Sequence, residues 1–190
     1  ILLNGQDITG LGQAERSRRG IARTFQINQL FRGLTVLENV VLAIAERQGI
    51  ASSMFRPLSS YSEVTDEAME LLGNFELNED ALRRIDELPY GRQRLVEIVI
   101  ALGQRPSVLL LGEPAAGIPS SESQHILDAA SALSSDITVL IIEHDMEIVF
   151  SVADYITVLV SGAVLTEGEP EVIAADERVR AVYLGEVDRG

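Results

Sequence analysis

Glu113 and His144 are the residues whose type and placement in this 190-residue sequence could do chemistry. Glu113 closes an unbroken apolar run at 108–111. That run is too short for a helix and lacks the polar alternation of a half-wet sheet, so it reads as a strand buried on both faces. A second run at 137–142 (ITVLII) reads the same way and finishes in Glu143-His144-Asp145. In an open α/β sheet the carboxyl ends of the strands face the ligand crevice. An acid and a histidine therefore reach one edge of one sheet, where they could handle protons or anionic oxygens. Alone, Glu113 is equally well placed as a solvated loop glutamate, and a single histidine after a strand is more often a cap or a turn residue. The pairing is what points to chemistry.

The elements that must position this pair follow from spacing. Leu88-Pro89-Tyr90-Gly91 is a turn opening a helix, with Leu95, Val99 and Leu102 on one face, Glu97 off it, and Gly103 and Pro106 ending it. Upstream, 1–3 reads as a strand, Asn4-Gly5 as a hairpin-type turn and 6–9 as the return. A short polar helix over 13–19 and a strand over 21–25, ending in Gln26, come next. Thr35 and Glu38 have capping-box spacing, which starts a helix running to about Glu46 with Val36, Val40 and Ala43 inward. The stretch 48–61 reads as an irregular connection, and 63–72 and 79–85 as helices, the first closed by Gly73. Beyond Glu113, Ser120 or Ser121 caps a helix burying Ile126, Leu127, Ala130 and Leu133. Asp145 caps a short helix through Val152, 155–160 is a strand turned by Ser161-Gly162, and the tail from Pro170 holds short helices with Val179, Val182 and Leu184 available to pack. His125 is given no role.

Composition narrows the function classes. With 46% hydrophobic residues the chain can bury a real core as one α/β domain with a small helical lobe. A net charge of −14 and the absence of any Lys argue against a nucleic-acid partner, since phosphate binding rests on clustered Lys and Arg. There is no Cys, hence no disulfide framework or thiolate metal site. No charged-then-apolar leader opens the sequence, and no apolar run approaches the roughly 20 residues of a membrane span, so membrane association would come through a partner.

The order of motifs resembles the nucleotide-binding subunit of an ATP-binding-cassette (ABC) transporter. The carriers are IARTFQ at 21–26, LFRGLTVLENV at 30–40, LPYGRQR at 88–94, EPAAG at 113–117, IIEHDM at 141–146 and AVYLGE at 181–186. Within that family they resemble the subunits that drive uptake of branched-chain amino acids, over essentially the whole chain. The resemblance implies an α/β, P-loop NTPase-like sheet core (1–34 and 86–190) with an inserted all-helical lobe (35–85), together a single domain. It implies Glu113 as the glutamate polarising the attacking water, His144 as the switch histidine and Gln26 as the Q-loop glutamine reaching the metal. Pro89, Tyr90, Gly91, Arg92 and Gln93 become the signature turn that faces a partner's ATP. ATP and Mg²⁺ are the implied cofactors. A second ATPase subunit and the transmembrane permease subunits are the implied partners, with the chain peripheral on the cytoplasmic face of the membrane.

The departures are as informative. The pattern G-x-x-x-x-G-K-[ST] is absent, and a chain without Lys cannot supply its ammonium. The family's chain would begin a few dozen residues earlier, so the sheet is expected to be incomplete at its N-terminus. The carboxylate expected before Glu113 is Gly112, the signature serine is Pro89, its glutamine is Arg92, and the D-loop acid or amide is Pro119. Three readings follow: a transport ATPase subunit in truncated or diverged form, a non-catalytic partner lending only its signature turn, or a soluble remnant kept for another protein interaction.

Overall fold

The structure, a computed structural model of the chain, describes residues 1–24, 29–50, 61–118, 120–131, 133 and 135–183, with the side chains of 120–125 left aside. Gln26, Pro119, Leu184 and most of the irregular connection expected over 48–61 lie outside these residues. The described chain divides into two compact units, Ile1–Ile142 and Glu143–Gly190.

The first unit opens with a hairpin, β1 (Leu2–Leu3) against β2 (Gln6–Asp7). Asn4 (φ 49°) and Gly5 (φ 78°) are both left-handed, as a primed two-residue turn requires. Helix α1 (Gln13–Arg18) leads into β3 (Ile21–Arg23), which pairs in parallel with β4 (Val108–Gly112), itself parallel to β5 (Thr138–Ile142). The order β3-β4-β5 leaves β5 with no strand on its outer edge among the described residues.

Helix α4 (Tyr90–Gly103) packs on the sheet at β3, and α2 (Val36–Arg47) and α3 (Ser62–Asn74) pack on α4 and on each other. The capping box is formed: Thr35 Oγ1 accepts the Glu38 amide at 3.2 Å and Glu38 Oε2 accepts the Thr35 amide at 2.7 Å. Val36, Val40 and Ile44 of α2 are fully buried against Val96, Ile98 and Val99 of α4 and Leu109 and Leu111 of β4, in one cluster shared by lobe and sheet. Burying each such side chain is worth about 1.5–3 kcal/mol, so the lobe is held mainly by this seam. Gly103 marks the closest approach, since a Cβ there would come 3.3 Å from Ile44 Cγ1. Helix α5 (Ser120–Ser131) buries Ile126, Leu127 and Ala130, with Leu133 packed beside them.

The second unit contains α6 (Met146–Val152), the antiparallel pair β6 (Ile156–Val160) and β7 (Ala163–Gly168), and the short helices α7 (Pro170–Ala175) and α8 (Glu177–Tyr183). Its core is small: Ile156, Val158, Ile173 and Val179, with Met146, Val149 and Phe150 packed against them.

Several sequence expectations fail for identifiable reasons. Residues 79–85 are not a helix but parts of two 3-10 turns, Asn78–Asp80 and Ile85–Glu87, with a turn and an isolated antiparallel bridge from Arg84 to Thr35 between. This stretch satisfies its backbone across space: Leu37 N donates to Ala81 O (2.9 Å), Val36 N to Arg83 O (3.0 Å) and Ile85 N to Leu34 O (3.2 Å). A pairing partner outcompeted helical propensity. Strand β5 is not buried on both faces: Val139 and Ile141 face the core, while Leu140 and Ile142 are 55% and 64% exposed. In β4, Leu109 and Leu111 are buried but Val108 and Leu110 only half so. Helix α2 rolls slightly from the expected face, burying Ile44 and Ala45 and leaving Ala43 half-covered. Val182 stays exposed.

Candidate functional site

Glu113 stands immediately past β4 with φ 47°, in the left-handed region a non-glycine residue enters only at a cost of about 1–2 kcal/mol. Its amide still belongs to the ladder, donating to Ile142 O at 2.8 Å. The chain then turns, with Ala116 N donating to Glu113 O at 3.1 Å. The strained backbone thus ends the strand while keeping Glu113 pinned to its neighbour.

Gly112 has an ordinary φ, and a Cβ built on it would meet nothing within 4 Å. The fold therefore does not need glycine here, and what is missing is purely a carboxylate. Among the described residues no group of three His, Asp or Glu side chains could hold a metal ion.

Strand β5 ends at Ile142, in register with Gly112. Glu113 belongs to the first unit and His144 to the second. The His144 side chain is 75% exposed, with Nδ1 3.9 Å from Glu143 Oε2. Asp145 is a helix cap as expected, its Oδ1 accepting the amides of Glu147 (2.9 Å) and Ile148 (3.4 Å).

The signature residues open α4. Pro89 is the N-cap (φ −55°, ψ 151°) and, unlike a serine, offers no side-chain acceptor, so no side chain caps the first turn. Tyr90 is exposed and Gly91 buried. Arg92, which stands where the resemblance expects the signature's glutamine, is folded back into its own chain. Its Nε donates to Asp80 Oδ2 (2.7 Å) and an Nη2 hydrogen goes to Glu76 O (2.8 Å). Asp80 is itself buried and also receives Arg83 Nη1 at 2.8 Å. Gln93 Nε2 donates to Leu88 O at 2.9 Å, closing the turn on itself. Of the five signature residues, then, Arg92 and Gln93 bind back onto the chain itself, while the Tyr90 side chain stays exposed.

Two residues that motif reading passed over lie one turn further on. Arg94 and Glu97 are buried on α4 and joined by a 2.8 Å ion pair. The detectable signal was charge within an otherwise apolar helix, LVEIVIAL, where every face is needed for packing.

With this geometry in view, the comparisons with known proteins are consistent. The profile of the family described as ABC transporter matches residues 1–116, and that described as branched-chain amino acid ATP-binding cassette transporter matches 163–189. The high-affinity branched-chain amino acid transport ATP-binding protein BraF of Pseudomonas aeruginosa is 37% identical over 195 residues, covering 98% of this chain and 76% of the relative. LivG of Escherichia coli gives the same figures. Two solved structures superpose over most of the chain. One is a nucleotide-free ATP-binding cassette from an ABC transporter (TM-score 0.78, 31% identity, 96% of this chain and 75% of that one). The other is an ABC transporter cassette in its ADP conformation (TM-score 0.77, 32% identity, 95% and 74%). The chain belongs to the ABC transporter family, among the ATP-binding subunits of branched-chain amino-acid transport, and its sheet and lobe are the fold of an ABC ATPase domain.

Proposed function

We propose that the chain acts as an ATP-binding subunit of an importer of branched-chain amino acids, seated on the cytoplasmic face of transmembrane permease subunits and facing a second ATPase subunit. Within its 190 residues the working part is the signature turn, offered to a nucleotide that the second subunit holds. The observation that carries this reading is an asymmetry. The first turn of α4 is intact and uncapped by any side chain. The chain's own site, by contrast, has Glu113 but a glycine rather than a carboxylate at position 112. Glu113, His144 and Gln26 would then polarise and orient a water only around phosphates anchored by other groups. No helix among the described residues is long and apolar enough to cross a membrane.

The test is to mix the chain with a complete ATPase subunit of the same type and compare Gly91→Asp with Glu113→Gln. Gly91→Asp is expected to abolish the turnover gained on mixing, because a side chain and a negative charge would meet the γ-phosphate. Glu113→Gln is expected to leave turnover unchanged. Loss with Glu113→Gln and none with Gly91→Asp would place the working nucleotide in this chain's own site. A second reading, a non-catalytic module kept for docking alone, is favoured by Gly112; it predicts that neither variant alters the turnover of the mixture.

A further inference from the structure

Arg94 and Glu97 pose a physical question: why should a packed helix bury a cation and an anion when two apolar side chains of similar volume would stabilise it as well or better? The two are 3% and 8% exposed, with Arg94 Nη1 donating to Glu97 Oε2 at 2.8 Å. Their surroundings give the answer. The Arg94 guanidinium lies 5.4 Å from the centroid of the Tyr90 ring, in the signature turn. Glu97 Oε1 accepts the backbone amide of Gln29 at 3.2 Å. A void of about 10 Å³, room for a single water, is lined by Thr24, Arg94, Glu97, Ile98 and Pro114. Thr24 and Gln29 are the described residues flanking the segment that carries Gln26, and Pro114 follows Glu113. The ion pair therefore meets the signature turn at Tyr90 and the chain at Gln29, and it shares a one-water void with Thr24 and Pro114.

We infer that Arg94 and Glu97 are positioning residues, whose ion pair holds the chain at Gln29 and the Glu113 loop in register with the signature turn. A carboxylate suits this task because its two oxygens separate two jobs: one binds Arg94 and the other binds the Gln29 amide. The guanidinium suits it because its plane can face a ring while its edge donates. The inference rests on the proposed function only for what those loops do once positioned; the positioning itself is a property of the first unit.

Hydrogen–deuterium exchange on the full chain tests it without any nucleotide, so its failure would leave the proposed function standing, and a failed mixing experiment would leave this inference standing. The double variant Arg94→Met/Glu97→Leu removes both charges at similar volume and is expected to melt within a few degrees of the parent. Peptides spanning 24–31 and 113–118 should nonetheless exchange about tenfold faster or more, while those from α2 and α3 keep their protection. Glu97→Gln, which retains an acceptor for the Gln29 amide, should return the 24–31 peptide most of the way to the parent rate. Parent-like exchange at both loops in the double variant would overturn the inference, as would a uniform rise that includes α2 and α3. Should the double variant not fold, Gln29→Pro decides. It deletes the donor from an exposed loop and leaves α4 intact, and unchanged exchange in the rest of 24–31 would refute the positioning role.

Discussion

Replacing Arg92 with glutamine, the family's usual residue at that place in the signature, is expected to destabilise this protein. In the structure Arg92 makes two hydrogen bonds, at 2.7 Å to Asp80 Oδ2 and 2.8 Å to Glu76 O. Bonds to charged groups contribute about 1.5–3 kcal/mol each when desolvated. Arg92 is 34% exposed, so water screens part of that gain, and Asp80 keeps Arg83 as a partner in the variant. The net cost is then about 1–2 kcal/mol, which for a chain of this size lowers the melting temperature by roughly 2–8 °C. The assay is thermal denaturation followed by circular dichroism, with Arg84→Gln as the control. Arg84 binds Asp86 at 2.9 Å, but the pair lies in solvent, so its loss should leave the melting temperature nearly unchanged. The comparison also separates fold from function: a turn that tolerates glutamine would owe its shape to Gln93 and the helix alone. If Arg92→Gln melts no lower than Arg84→Gln, the clasp between the signature turn and Asp80 contributes nothing and the argument is wrong.

Three further outcomes follow. Hydrogen bonds from the Thr35 amide and then its hydroxyl hold the Glu38 carboxyl below its ordinary value, so this group stabilises the fold above the unfolded carboxylate range and loses that effect as pH falls through the lowered value. The melting-temperature gap between the parent and Glu38→Gln should accordingly be larger at pH 7 than at pH 4, and a gap that widens on acidification would contradict the assignment. Leu140 and Ile142, exposed on a strand with an open edge, should drive concentration-dependent self-association. Light scattering should show less of it for Leu140→Lys, and a monodisperse monomer with a cooperative melt at high temperature would count against the open edge. Gly112→Asp should fold with a stability within about 1 kcal/mol of the parent, because a Cβ there meets nothing within 4 Å; a collapse in melting temperature would show that glycine is structurally required.

What could be read from the sequence was whatever local chemistry determines. Thr35 and Glu38 announced their capping box because both partners lie within one turn, and Asn4-Gly5 announced its turn because few residues tolerate two left-handed positions. The runs around Leu109 and Val139 were recognisable as strands, and their shared parallel register brings Gly112 opposite Ile142. Long-range competition was not legible. Residues 81–85 look helical until Leu34 to Leu37 arrive as a pairing partner from more than forty residues away. The exposure of Leu140 depends on what covers β5, which an apolar run cannot report. Glu97 was expected off the apolar face until its ion pair with Arg94 was seen to be buried, and Arg92 looked like a ligand-facing signature residue until Asp80 was seen to hold it.

The central proposal is that the signature turn, rather than Glu113, is what these 190 residues bring to a nucleotide. Calorimetric titration of ATP with Mg²⁺ into the purified 190-residue chain is the most direct measurement of it. The account predicts no saturable heat in the micromolar range, because Gln26, Glu113 and His144 have no Lys or Gly112 carboxylate to work beside. A dissociation constant in the micromolar range, weakened by Glu113→Gln and tightened by Gly112→Asp, would contradict it.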